Sequence, residues 1–344
     1  MRFALCAVRD ARRITHDAIR SYKMLKNIRK ILVISLTNIG DVILTTPVIG
    51  ILKREFPDAR LNVMVGPRAR GLLEGAPGID LIVYDKLVSA KEKSKLIFRL
   101  RKQRYDLVID LRNSIFPLLI GTRYRTSLLS KPPPDIVHMK ERHLYKLTSL
   151  GISVEQAPFF IWIGEGDVSR ANELIDRAQI GTGDRLVAIS PGARSDVKRW
   201  FANGFAEVAD RLVEKEKVKI IMIGDREDKP LIRKIIQMMR HNPIDLSGRT
   251  NLREMAAVLK RCILHITNDS APMHMSVALD VPTLAIFGPT NWHKYGPAGS
   301  RDVVVHPTVR CSPCEQAECR YNHECMKSIS PDQVYGTARR MLDG

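Results

Sequence analysis

The 344 residues exceed one ordinary core and suit two domains of roughly 100–200 residues, and a composition of 44% hydrophobic and 27% charged residues is that of a globular chain. No run of about 18 uncharged apolar residues is present to span a bilayer, which excludes a transmembrane helix. The formal charge of +18 is weighted to the front: residues 1–30 hold nine Lys/Arg against two Asp and residues 31–160 hold twenty against twelve Asp/Glu, so 161–344 keep only +3. Such a field favours a polyanion, whether nucleic acid, an anionic lipid surface or a phosphorylated substrate. At the start, the short apolar piece Phe3–Val8 runs into Arg9 and Asp10, and Leu5 precedes Cys6 where a lipoprotein cleavage site wants a small residue. No secretion signal is expected, and the six cysteines then read as thiols or metal ligands rather than disulfides.

Residues 1–30 space Val8, Ala11, Ile14, Ala18, Tyr22, Leu25 and Ile28 at intervals of three and four, with Arg12, Arg13, Arg20, Lys23 and Lys26 between. The spacing predicts a basic amphipathic helix, either lying on its own domain or anchoring on anionic lipid. From Ile31 the chain alternates short apolar runs with helical periods. Strands are expected at 31–36, 61–65, 81–84 and 107–111, then at 186–189, 220–223, 263–267 and 283–287; continuous β-branched runs suit parallel strands buried on both faces. Helical patterns over 41–56 and 205–217 complete βαβ units in two sets. Pro158, Gly164, Gly166, Gly181 and Gly183 mark a linker near 152–184, with a helix at 169–178 inside it. The expectation is two doubly wound domains, with ligands at the carboxyl ends of strands.

Three motifs fall at such ends. Thr37-Asn38-Ile39-Gly40-Asp41, before Pro47, follows the first strand; Gly40 permits a tight turn, and Asp41 reads either as a helix cap or as a general base. Ser190-Pro191-Gly192-Ala193-Arg194-Ser195-Asp196-Val197-Lys198-Arg199-Trp200 follows the first strand of the second set, and Lys198 with its flanking arginines can neutralise a diphosphate without a metal. The sequence has neither G-x4-G-K-[ST] nor G-x-G-x-x-G, so P-loop hydrolysis and nicotinamide binding lose their best signatures. In Thr267-Asn268-Asp269-Ser270-Ala271-Pro272-Met273-His274, Asp269 or Ser270 caps a helix whose free N–H groups suit phosphate, with His274 one turn inside. Gly288-Pro289-Thr290 follows the next strand.

Together these motifs resemble glycosyltransferase family 9, the ADP-heptose:lipopolysaccharide heptosyltransferases, over roughly residues 31–335. His138 with Glu141, and Leu150-Gly151-Ile152, sit where that family has a similar inter-domain stretch. The resemblance implies a GT-B fold of two Rossmann-like α/β domains facing each other across a cleft: an acceptor domain over 31–165, a nucleotide-sugar domain over 166–330, and a C-terminal helix over 331–344 that crosses back onto the first. It implies transfer from ADP-heptose to an anionic lipopolysaccharide inner-core acceptor, with inversion, without a metal and without nucleic acid. The protein would be cytoplasmic and peripheral on the inner face of the inner membrane, against its anionic surface. Asp41 would then be the base; Lys198, Arg194, Asp269, Ser270, Ala271 and His274 would hold the donor; Thr37, Asn38, Gly40, Arg123 and Arg125 would face the acceptor. Ser270-Ala271 and Pro272-Met273 depart from the family's usual residues, which bears on the donor sugar.

Cys311, Cys314, Cys319 and Cys325 form C-x2-C-x4-C-x5-C with His323 nearby, a candidate structural zinc site. That spacing also gives a rival of another class, a zinc-knuckle nucleic-acid module with Tyr321 as a stacking ring. Four Lys/Arg balance four Asp/Glu over 301–330, which argues against it. A second rival is a GT-B enzyme or binder for another nucleotide sugar such as a UDP-sugar.

Overall fold

The computed structural model describes residues 25–344 apart from Gln179 and Thr182. Of the basic helix expected over 1–30, residues 1–24 lie outside those described, while 25–29 are not helical and Lys30 already begins the first strand. The chain divides after Phe160 into two compact units. In the first, β1 (Lys30–Ile34), β2 (Arg60–Val65), β3 (Asp80–Val83), β4 (Leu107–Asp110) and β5 (Tyr124–Arg125) form a sheet of order β3-β2-β1-β4-β5. Every pairing is parallel. Ile31–Ile34 are all at most 1% exposed, so both faces of the central strand are covered, as the unbroken apolar run requires.

The connections include α1 (Ile39–Glu55), α2 (Ala90–Lys102), α3 (Phe116–Ile120) and α4 (Met139–Thr148). Pro47 lies inside α1 and cannot donate to the Ile43 carbonyl; Thr46 Oγ1 donates there instead at 2.8 Å, so the helix continues with its acceptor satisfied. The same hydroxyl accepts from Phe160 N, and Arg54 donates to the Glu155 and Gln156 carbonyls, which fastens the end of the unit onto α1.

The second unit holds β6 (Leu186–Ser190), β7 (Lys219–Met222), β8 (Ile244–Asp245), β9 (Leu264–Asn268), β10 (Thr283–Ile286) and β11 (Val303–Val305) in the order β11-β10-β9-β6-β7-β8, again all parallel. Its helices include α5 (Glu165–Asp176), α6 (Ala202–Glu216), α7 (Lys229–Met238), α8 (Leu252–Leu259), α9 (Ala271–Ala278) and α10 (Pro331–Asp343). Two stretches named from the sequence lie largely or wholly within this unit. Much of the glycine-marked linker is structured: α5 packs on α8, with Arg253 paired to Asp167 at 2.9 Å. The final helix belongs to the second unit's own core, where Val334, Tyr335 and Ala338 join Trp200 and Phe205 and the Tyr335 hydroxyl bonds Glu216. Its apolar stripe packs into that core.

Each sheet reverses direction once. In the first unit the chain runs β1 to β3 on one side and then starts β4 on the other; in the second it runs β6 to β8 and then starts β9. The loops leaving β1 and β4, and those leaving β6 and β9, therefore splay apart and leave a crevice at the strands' carboxyl ends. Among the described residues no helix is long and apolar enough to cross a membrane.

Candidate active site

In the first unit, the loop after β1 brings Asp41 to its crevice. Gly66, after β2, holds that loop close: a Cβ there would lie 2.9 Å from the Thr37 Cα, and Gly66 N donates to Leu36 O. α1 starts at Ile39, so Asn38 is the N-cap and Asp41 is the third helical residue rather than the cap. Asn38 Nδ2 donates to Asp41 Oδ2 at 2.8 Å, which leaves the other carboxylate oxygen open to accept a proton. Gly40 is buried inside the helix and is absent from the positive-φ positions, so its freedom to turn is not what the loop uses. Thr37 is half-buried beside it.

The loop leaving β4 forms the opposite lip, because Asp110 is level with Ile34 of β1. Sequence reasoning looked further along, to Arg123 and Arg125 after the fourth strand, and passed over residues 110–114. Asp110 accepts from the Arg112 and Ser114 amides and from the Ser114 hydroxyl, folding residues 110–114 into a tight turn. Lys146 of α4, 6% exposed, props the turn from below by donating to Asp110 O at 2.8 Å and to the Asn113 side chain, and burial lowers its ammonium pKa. Arg112 rests over the Tyr84 ring. His143, also on α4, is buried with Nε2 unpartnered; desolvation first, then the neighbouring cations, pushes its pKa down to about 4. His138 caps α4 through Nδ1. Arg123 and Arg125 are exposed at edge strand β5, where register sets Arg125 level with Val108, short of the carboxyl end of β4. The structure thus does not gather them at the lip with Asp41. The signal for the missed loop was its strand order, which composition and periodicity do not encode.

In the second unit the two remaining motifs meet across the β6/β9 crevice. Lys198 Nζ bonds Asp269 Oδ2 at 2.6 Å, with the lysine side chain 34% and the carboxylate 7% exposed. Asn268, fully buried, locks the two loops together: its Oδ1 accepts from Trp200 N at 3.1 Å and its Nδ2 donates to Pro191 O at 2.7 Å. Trp200 anchors the loop in the core and donates its indole N–H to Ile329 O. Arg199 pairs with Asp196 and bonds Ala193 O, closing the turn that presents exposed Arg194. Gly192 allows the loop to lie on the β7–α7 connection, since a Cβ would fall 2.1 Å from Asp228 Oδ1. Desolvation, with Asp225 adding to it, raises the Asp228 carboxyl pKa.

Ser270 is the N-cap of α9 and makes no side-chain cap bond. Pro272 lacks an N–H, so Ser270, Ala271 and Met273 supply the unclaimed donors of that helix start. His274 is buried in the first turn. A second histidine, not singled out from sequence, stitches the floor: His265 of β9 bonds Ser190 Oγ through Nε2 at 2.9 Å and Ser276 Oγ through Nδ1 at 2.8 Å. Burial lowers its pKa to about 3, so it is neutral at physiological pH. A cation held by a buried carboxylate beside a helix amino end has the groups to bind a diphosphate bonded to a hydroxylated group.

The clustered cysteines belong to the second unit. Among the described residues no group of three or more His, Cys, Asp or Glu is placed to hold a metal ion, yet Cys311, Cys314 and Cys319 lie near enough to Cys325 to add to the burial that raises its thiol pKa. Cys325 is buried in the core with Cys311 packed beside it, and Cys319 Sγ accepts the His323 amide. Ser312 and Glu315 bond the Gly288 and Pro289 carbonyls, so the segment staples the loop after β10.

A family model described as glycosyltransferase family 9 (heptosyltransferase) matches residues 138–324. The chain is 27% identical over 326 residues to lipooligosaccharide heptosyltransferase 2 of Campylobacter jejuni, covering 89% of this chain and 96% of that one. The solved family 9 glycosyl transferase of Veillonella parvula superposes with a TM-score of 0.80 at 27% identity, over 91% of this chain and 97% of that one. E. coli ADP-heptose lps heptosyltransferase II superposes with a TM-score of 0.72 at 23% identity, over 91% and 98%.

Proposed function

The chain belongs to glycosyltransferase family 9, and from that footing we propose that this glycosyltransferase moves a heptose from ADP-heptose to an anionic sugar of the lipopolysaccharide inner core, inverting the anomeric carbon without a metal in the chemical step. The fold is that of the GT-B heptosyltransferases. The observation that carries the reading is the Lys198–Asp269 pair at the start of α9. Lys198 neutralises Asp269 in the free protein; one-third exposed, it still has N–H groups to give to the diphosphate of an arriving donor. Asp269 then faces the sugar hydroxyls, which it can accept from. The free amides of Ser270, Ala271 and Met273, with Arg194, take up the charge that grows on ADP as the bond to C1 breaks. His274 packs under the same turn.

Asp41 supplies the other half. Asn38 holds one carboxylate oxygen, and the other accepts the proton of the acceptor hydroxyl as it attacks C1 from the side opposite ADP. A positioned base contributes about 10²- to 10⁴-fold. The reaction requires the carboxylate of the first unit and the cation of the second to serve one sugar carbon. The β4 loop, with Arg112 and the Lys146 prop, offers cationic and amide groups to the acceptor's phosphates and carboxylates. Arg123 and Arg125 serve as outer contacts. The enzyme works on the cytoplasmic face of the inner membrane, against its anionic surface.

The test is transfer from ADP-heptose to a panel of truncated core acceptors, with the product anomer read by NMR. An inverted heptoside on one acceptor is expected; retention, or activity with a UDP-sugar and none with ADP-heptose, would overturn the proposal. ADP, and not UDP, should raise the melting temperature with concentration.

A further inference from the structure

A basic, apolar-tipped surface on the first unit remains unused by this chemistry. α2 and α3 pack together, and their inward side chains Leu96, Leu100, Phe116 and Ile120 share one core cluster. Their outer faces are unlike a solvated surface. On α2, Lys91, Lys95, Phe98 and Lys102 recur at spacings of four, three and four, which lines them up as one outward stripe. Phe98 is 61% exposed, with the Lys102 ammonium over its ring at 4.5 Å. On α3, which packs against α2, Leu118 and Leu119 are 50% and 40% exposed. The helix holds six Lys/Arg and one acid, Glu92, whose carboxylate is engaged in the capping box with Ser89.

We infer that the α2–α3 face is the surface by which the protein sits on an anionic phospholipid bilayer. Aromatic and leucine side chains dip into the headgroup boundary while the lysines beside them meet lipid phosphates; this combination marks an interfacial surface rather than a protein interface, where lysine is depleted. Location supports the assignment. α3 follows directly from the β4 loop that forms one lip of the Asp41 crevice, so a lipid-anchored acceptor reaches the carboxylate from the side that meets the membrane. The inference rests on the lipopolysaccharide reading above and names the surface that serves it, independently of the N-terminal segment.

The test uses the full chain with phosphatidylcholine vesicles, with and without phosphatidylglycerol. One variant combines Lys91→Gln, Lys95→Gln and Lys102→Gln; another combines Phe98→Ser, Leu118→Ser and Leu119→Ser. Circular dichroism, ADP affinity and turnover on a deacylated, water-soluble acceptor confirm that each is folded. Wild type is expected to partition onto anionic vesicles only, each variant to lose about tenfold or more of that partition, and turnover on vesicle-embedded acceptor to fall in step. Wild-type partition by either folded variant, or equal binding of wild type to neutral vesicles, overturns the inference. Partition as expected from a protein that transfers no heptose would keep the surface and sink the heptosyl reading.

Discussion

Asn268→Ala is the substitution whose cost follows most directly from the structure. Asn268 is 0% exposed, and its amide serves two main-chain groups of the loop that carries Lys198. Alanine strands the Trp200 N–H and the Pro191 carbonyl in the core. An unsatisfied buried group costs about 1–3 kcal/mol, so the pair predicts a loss of about 2–6 kcal/mol. With a urea slope of about 2 kcal/mol per molar, the unfolding midpoint should drop by about 1–3 M. All three tryptophans, Trp162, Trp200 and Trp292, lie after Phe160, so intrinsic fluorescence follows the second unit selectively. At temperatures where the variant stays folded, ADP affinity should weaken about tenfold, because the loop is no longer tied to Asp269. A midpoint shift worth less than about 0.5 kcal/mol, with ADP binding unchanged, would refute the claim that Asn268 joins the two halves of the donor pocket.

Other expectations follow from the same residues. His265 has its folded pKa lowered to about 3, from the 6.5 of an unfolded histidine. The unfolded chain therefore binds the extra proton below pH 6.5, and the stability of the neutral pair of hydroxyl contacts is full above that pH and declines as pH falls toward 3, by up to about 1.4 kcal/mol per pH unit. Urea midpoints between pH 7 and pH 4.5 should fall less steeply for His265→Gln than for wild type; parallel slopes would contradict this. Gly192→Ala must push the Asp228 carboxyl aside and should cost about 1–3 kcal/mol, with partial recovery when Asp228→Ala is added; an uncoupled double mutant would show that the contact is not what limits the loop. Lys146→Met removes the prop beneath the β4 turn and should raise the acceptor KM while ADP affinity stays at the wild-type value, which steady-state kinetics with isothermal titration would check.

Most of the fold was legible because its central strands are continuous apolar runs. The expected 107–111 and 186–189 differ from β4 and β6 by one residue at an end, since nothing but a buried parallel strand accommodates such sequences. β5, β8 and β11 were not anticipated: two or three residues at a sheet edge carry too short a pattern to register. Lys198 and Asp269 could be named from local motifs, yet 71 residues separate them, and only strand order makes them neighbours. The turn at 110–114 and Lys146 were invisible for that reason, because what marks them is adjacency of β4 to β1. The cysteine spacing marked a cluster but not its setting: Cys311, Cys314 and Cys319 lie near Cys325, and Cys325 itself is built into the apolar core, which spacing in one dimension does not encode.

The division of labour between Asp41 and Lys198 is tested most directly by measuring ADP release from ADP-heptose, with acceptor present, alongside ADP binding for wild type, Asp41→Asn and Lys198→Ala. Asp41→Asn should lower kcat by about 10²- to 10⁴-fold and bind ADP like wild type, whereas Lys198→Ala should lose ADP affinity as well as rate. Near-normal turnover by folded Asp41→Asn, or undiminished ADP binding by Lys198→Ala, would contradict the assignment of base and diphosphate receptor to these two residues.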